Sequence, residues 1–180
     1  TFDQRDLRLD VTCVPYKYDE DLNQEADFGK SCVSGWNIGK WDKMKMDLDN
    51  MMSGIAGSTG INAVRMRYAD VLLMFAEVEN ELNGPTADAK EALKKVRRRA
   101  FDSSLYGEMV ETYVEGLAGR DAFFKAIMDE RAWEFGGEGI RKYDLARWNK
   151  YSETLIYLYN KLADWGKRAN GIGTRDDVRD

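Results

Sequence analysis

The 180-residue sequence contains no histidine. That absence removes every Ser-His-Asp or Cys-His nucleophile system and every zinc site with an imidazole ligand. Cysteine is nearly missing too: Cys13 and Cys32 are the only two. They are too few for a disulfide scaffold and lack CxxC spacing. One bridge across the intervening segment or two buried thiols both fit, and the thiols are favoured because nothing else in the chain asks for a staple. Long apolar runs are lacking. The longest, Val71-Leu72-Leu73-Met74-Phe75-Ala76, falls far short of the ~20 residues that span a bilayer. There is no surplus of positive charge either, since 27 Lys and Arg against 32 Asp and Glu leave a net charge of −5. A general nucleic-acid binder needs a basic field to displace counterions from phosphates, so that class is excluded. The chain opens Thr1-Phe2-Asp3-Gln4 without Met, basic n-region or apolar h-region. It is expected to be an internal or C-terminal piece of something longer.

Hydrophobic residues at 43% and charged residues at 33% describe a folded globular protein. The length suits one domain with a core of its own. Two textures divide it. Residues 1–62 carry Gly, Asn, Asp and Ser throughout and read as an extended, loop-rich segment packing on the helices. Within them Leu7, Leu9, Val11 and Cys13 alternate with polar residues before Pro15, which predicts a short extended strand or strap. The stretch Trp36 to Trp41 also reads as extended, and Ser53 to Gly60 as a loop.

Residues 63–168 change to a helical period. Val64, Tyr68, Val71, Leu72, Phe75, Val78 and Leu82 form an apolar stripe that Leu73, Met74 and Ala76 widen, predicting a helix buried on more than one side. Asn83-Gly84-Pro85 ends it. Thr86 then caps a second helix with Ala89, Ala92, Leu93, Val96 and Ala100 on its buried line. So short a turn makes the pair antiparallel, a hairpin of tetratricopeptide-repeat length without that repeat's own signature. A third helix is expected from an Asp121 cap to about Phe135, with Phe124, Ile127, Met128 and Phe135 as its contacts. Gly136-Gly137-Glu138-Gly139 breaks it. Further helix is expected from Ile140 to about Trp165, interrupted near Asn149-Lys150, and residues 169–180 as a frayed tail. The predicted fold is all-α, mainly helical, with TPR-like antiparallel pairs.

The segment from Asp129 to Trp148 holds the most conspicuous charge cluster. Glu130 and Glu134 stack on one helix face, where like charges repel unless a cation offsets them. Arg131, Arg141 and Arg147 are the local candidates, because a guanidinium fork holds a carboxylate with two hydrogen bonds. A glycosidase would set two carboxyls about 5–10 Å apart across a cleft. Its acid needs an apolar pocket to raise its pKa, whereas dense arginines lower it. The expectation is a structural ion-pair network of Glu130, Arg131, Glu134, Arg141, Asp144 and Arg147, with no catalytic residue.

Asp70, Glu77, Glu79 and Glu81 invite a metal reading, but one helix converges ligands poorly, and a solvated or Arg-paired face is expected instead. Asp19-Glu20-Asp21 with Asn23 is a weak calcium candidate, so neither metal nor cofactor is expected. The basic run Lys94-Lys95-Val96-Arg97-Arg98-Arg99 reads as a solvated face with some arginines turned towards the glutamates. Among the aromatics, Trp133, Trp148, Trp165, Tyr68 and Tyr143 sit at helical spacing and are expected in the core. Tyr16, Tyr18, Trp36 and Trp41 lie in the irregular part, where binding residues more often sit. They are the ligand-binding candidates, because a sugar ring lays its C–H face on an aromatic plane.

The segment Arg65-Met66-Arg67-Tyr68-Ala69-Asp70-Val71-Leu72-Leu73-Met74-Phe75-Ala76-Glu77, with Asn80-Glu81 and the Val96–Ala100 region, resembles the SusD/RagB family. So does Glu130-Arg131-Ala132-Trp133-Glu134-Phe135 followed by Glu138 to Trp148. The blocks fall in the family's order over roughly residues 60–150. The resemblance implies a largely helical fold with TPR-like units. It further implies a surface-exposed outer-membrane lipoprotein that captures oligosaccharides, or sometimes peptides, and forms the lid of a TonB-dependent, SusC-like transporter. Membrane contact would then run only through a lipid anchor, which neither Cys13 nor Cys32 is placed to be. The matched motifs belong to the scaffold, so the resemblance transfers no ligand-binding residue. The rival reading is a helical-repeat module that binds a protein partner and no sugar.

Overall fold

The computed structural model describes residues 2–14, 16–18, 24–26, 38–42 and 64–167. The amino-terminal part consists of short pieces. One helical turn, α1 (Leu9–Thr12), precedes an antiparallel pair, β1 (Tyr16–Tyr18) and β2 (Gln24–Ala26), with Lys17 opposite Glu25. A 3-10 turn covers Gly39–Trp41. The strand expected over Leu7–Cys13 is therefore a helical turn, and its pattern is inverted. Asp6, Arg8 and Thr12 are buried while Leu7 is 54% exposed. Alternation marks a strand only when apolar side chains face the core; here an ion pair faces it. The extended reading of Trp36–Trp41 likewise gives way to the 3-10 turn at its described end.

Helices then follow one another: α2 (Tyr68–Asn83), α3 (Ala87–Arg98), α4 (Tyr113–Glu115), α5 (Gly119–Glu134), α6 (Arg141–Arg147) and α7 (Tyr151–Lys167). Gly84, at φ 86°, turns the chain out of α2, and the Thr86 hydroxyl accepts from Ala89 N at 3.3 Å to cap α3. A connection of three residues leaves α2 and α3 antiparallel. Their core is built from small residues and β-branched or leucine side chains: Ala69, Leu73 and Ala76 on α2 meet Ala89, Leu93 and Val96 on α3, and Phe123 and Ile127 on α5. Alanines at the contact let helix backbones approach closely. The fold is mainly helical with TPR-like pairing.

Several expectations need correction. The stripe of bulky residues predicted to bury α2 is on its outer face: Tyr68, Val71, Phe75, Val78 and Leu82 are exposed, as is Val64. The buried line is Ala69, Leu73, Ala76 and Asn80. Reading by bulk selected the wrong side, because close helix packing favours alanine. Helix α5 starts at Gly119 (φ 81°) after Ala118, two residues before Asp121. It buries Phe123, while Phe124 meets Trp148 edge-on at 5.8 Å. Tyr68 and Tyr143 are not core but roughly 70% exposed. Between α3 and α5 the sequence offered no reading; the chain forms a 3-10 turn at Ser103–Leu105 and a π-helix at Tyr106–Thr112 that runs into α4. Asn149, in the left-handed region at φ 55°, makes the interruption between α6 and α7. Most of α7 is exposed. The predicted loop over 53–60, the acidic stretch 19–23, Cys32 and the tail 169–180 lie outside the described residues.

Candidate functional site

The carboxyl-terminal half of α5 carries the cluster. Phe123, Ile127, Glu130 and Glu134 follow each other at three- and four-residue steps, so the buried stripe passes from apolar to acidic side chains without turning outward. Glu130 has no exposed surface. One of its oxygens accepts from Arg8 Nη1 at 2.7 Å, the other from Arg97 Nη1 at 2.6 Å. Glu134 accepts from Arg8 Nη1 at 3.0 Å, from Arg99 Nη2 at 2.7 Å and from Arg67 Nη1. Asp6 grips the other side of the Arg8 fork, with Nη2 at 2.7 Å from Oδ2. Burial works against the charge of Arg8, but Asp6 and Glu130 more than offset it and hold its pKa above the ordinary value.

Arg97 sits on the same helical row as Ala89 and Leu93, and so points inward. Its guanidinium lies 4.0 Å from the Tyr113 ring centroid and 5.2 Å from that of Phe101. It also donates to the Met109 carbonyl from Nε at 3.1 Å and Nη2 at 3.0 Å. That carbonyl belongs to the π-helix, so one arginine ties α3, α5 and the π-helix together.

A second knot joins α2, α5 and α6. Arg131 donates from Nη1 to Asp70 and from Nε to Asp144, each at 2.7 Å. Arg147 donates to Asp144 at 3.1 Å and also pairs with Glu77, which accepts from Trp148 Nε1 at 2.8 Å. The expected local partners are thus redistributed. Arg131 and Arg147 serve Asp70, Asp144 and Glu77, and Arg141 donates to the Met128 carbonyl at 2.9 Å, with its pKa lowered by burial. Glu130 and Glu134 are neutralised by Arg8, Arg67, Arg97 and Arg99; Arg97 and Arg99 belong to the basic run expected to turn some arginines towards glutamates, whereas Arg8 and Arg67 were not expected here. A signal was present: Arg97 falls on the buried line of α3. Arg8 and Arg67 carried no such mark. The basic run is also not wholly solvated, since Lys94 and Arg97 are buried.

The last carbonyls of α5 lack intrahelical partners, and the cluster supplies them. Lys40 Nζ and Arg67 Nη2 both donate to the Glu134 carbonyl at 2.6 Å, placing positive charge at the negative end of the helix dipole. Glu138 binds the same two cations, to Lys40 at 2.8 Å and Arg67 at 2.9 Å. Burial pushes its carboxyl pKa up, but these bonds outweigh it and hold it below the ordinary 4.5. The turn after α5 needs its glycines: a Cβ on Gly136 would stand 2.7 Å from Thr12 Cγ2, and Gly137 has φ 81° with Ile38 packed against it. The amino-terminal strap crosses here.

Of the ligand-binding candidates, Tyr16 donates its hydroxyl to Asp42 at 3.2 Å, and Trp41 Nε1 donates to the Gly137 carbonyl at 3.4 Å. Both are half-buried. Tyr18 lies in β1 opposite Gln24, and Trp36 lies outside the described residues. The structure brings Trp41 to the α5 turn. Chemically, Glu130 is out of reach of any glycosidic oxygen. Among the described residues, no group of three Cys, Asp or Glu side chains could hold a metal ion.

The model of the SusD family matches residues 1–177. SusD-like protein P25 of Formosa agariphila is 49% identical over 87 residues, 48% of this chain and 15% of that protein. SusD-like protein P2 of the same organism is 36% identical over 100 residues, 53% of this chain and 19% of its own length. The crystal structure of a SusD homolog from Bacteroides thetaiotaomicron aligns with a TM-score of 0.66 and 28% identity, covering 89% of this chain and 33% of that one. The chain thus spans less than a fifth of these two curated relatives and a third of the solved one.

Proposed function

The chain belongs to the SusD family, and from that premise we propose that it is part of a non-enzymatic, cell-surface nutrient-binding protein. The protein holds an oligosaccharide and delivers it to a TonB-dependent, SusC-like transporter of the outer membrane. The observation that carries this reading is the family match over residues 1–177. The geometry agrees with a binding role: the acidic side chains of α5 are committed to arginines, so their work is to hold helices together. No helix among the described residues is long and apolar enough to cross a membrane, and attachment through a lipid anchor fits this. Recognition falls to aromatic side chains of the irregular segment, with Tyr16, Tyr18, Trp36 and Trp41 as the candidates. Binding by stacking and hydrogen bonds needs no pKa-tuned group.

Calorimetry and tryptophan fluorescence of the full-length protein against a panel of oligosaccharides test the proposal. Saturable binding of at least one glycan, weakened at least tenfold by Trp41→Ala or Trp36→Ala, is expected. Silence across all sugars alongside tight binding of a protein partner would replace it with the helical-repeat adaptor. New reducing ends in the incubated glycans would replace it with a hydrolase.

A further inference from the structure

We infer that Asn83-Gly84, where α2 ends, is a site of spontaneous covalent modification that the folded hairpin holds shut, with Glu79 as its clasp. An asparagine followed by glycine is prone to cyclise, because no side chain on the second residue hinders the approach. The Gly84 nitrogen bonds to Cγ of Asn83, and the carboxamide nitrogen leaves as ammonia, carrying the proton that Gly84 gives up. Water then opens the succinimide at either carbonyl and leaves aspartate or isoaspartate at position 83. No oxidant, reductant or enzyme takes part, so the fold governs this step through geometry alone.

The turn opposes the step at both reacting groups. The attacking nitrogen is engaged, since Gly84 N donates to the Asn80 carbonyl at 3.0 Å as the closing bond of α2. Helical backbone at Asn83 also directs that nitrogen away from the residue's own side chain. The carboxamide is engaged as well: Asn83 Nδ2 donates to Glu79 Oε2 at 3.1 Å. The other Glu79 oxygen accepts from the Thr86 hydroxyl at 3.0 Å, so one carboxylate spans the turn from α2 to the cap of α3. Arg120 of α5 donates to the Glu81 and Leu82 carbonyls and pins the last turn of α2 from a third helix. Asn83 itself is exposed, so water is at hand and these bonds are what stand in the way. The product cannot restore them. A carboxylate at position 83 offers Glu79 no donor and sets negative charge at the negative end of the helix dipole. The change therefore marks, irreversibly, a chain whose hairpin turn has opened.

Incubation of the full-length protein in mildly alkaline buffer, with and without urea, tests this. The tryptic peptide of residues 68–90 carries Asn83 and not Asn170, the other asparagine followed by glycine in the sequence, and its fragment masses report conversion at position 83. Conversion is expected to be roughly tenfold slower or more in the native protein than in urea. Glu79→Ala is expected to speed the native reaction several-fold without changing the rate in urea. A native rate equal to that in urea would overturn the inference, and so would a native Glu79→Ala rate equal to the parent's. Acceleration by Glu79→Ala in urea as well would make Glu79 a chemical neighbour and not a clasp. If Glu79→Ala does not fold, Glu79→Gln takes its place, because it keeps the length and loses the charge that strengthens both hydrogen bonds. An unchanged rate there counts against the clasp in the same way.

Discussion

Two of the charge networks among the described residues differ in what they can do. Around Glu130, carboxylate and guanidiniums meet where water is excluded; the side chain of Glu130 is 0% exposed and that of Arg97 is 4%. Across α3, the π-helix and α4, Lys90, Lys94 and Arg98 meet Glu91, Glu111 and Glu115 at similar distances of 2.6–2.8 Å, but the Glu115 side chain is 56% exposed. The bond lengths do not separate them; the solvent does. In the buried cluster Glu130, Arg8 and Arg97 have given up their hydration and depend on their partners, so losing one partner leaves the others stranded. On the surface, water and salt stand ready to replace any partner lost.

The strongest way to break the comparison is Glu130→Gln. It leaves Arg8 and Arg97 facing a neutral amide in a site without water, and a loss of about 3–5 kcal/mol in urea unfolding is expected. A loss no larger than that of a surface substitution would mean that the two networks are equivalent.

Acid should sharpen the comparison next. The Glu138 carboxyl is held below its ordinary 4.5 by Arg67 and Lys40 against the push of burial. The unfolded chain therefore takes up this proton first as pH falls. Stability from this group is complete above about 4.5 and drains away as pH drops through the lower folded value. Urea midpoints between pH 6 and pH 3 check the sign: Glu138→Gln should be less stable than the parent at the upper end, and the gap should close at the lower. A constant gap would show that the carboxylate charge contributes nothing.

Glu115→Gln should have the smallest effect. Lys90 and Lys94 lower the Glu115 pKa to about 2, yet the group is open to solvent. A small fall in Tm at low ionic strength should vanish in molar salt. A fall that survives salt would place this ladder with the buried cluster.

Legibility followed the same physical division. The α2–α3 hairpin could be read because its signals are local: Thr86 caps, Gly84 turns, and Ala89, Leu93 and Val96 recur at helical steps. The break at Asn149 was also local. Glu130, Arg131, Glu134, Asp144 and Arg147 announced a cluster by their density, but who pairs with whom did not follow from it. Arg8 lies 122 positions from Glu130, and Arg67 lies 67 from Glu134. No periodicity within one helix records such distances. The strap was misread for a related reason: its buried members include Asp6, Arg8 and Thr12, and a hydrophobic pattern looks for leucines. The π-helix was not foreseen because Arg97 helps to hold it, through the Met109 carbonyl, from another helix.

What the chain's own order of residues determined is the helices α2, α3 and α5 to α7, the hairpin turn, the absence of any histidine chemistry and the kinship with the SusD family. Each depends on neighbours within a few positions or on composition. Only the tertiary structure decided which face of α2 is covered, which arginine meets which carboxylate, and that the strap plugs into α5 through Arg8. These are contests between side chains far apart in sequence, and close packing of alanines and removal of water from paired charges settle them once the helices have come together.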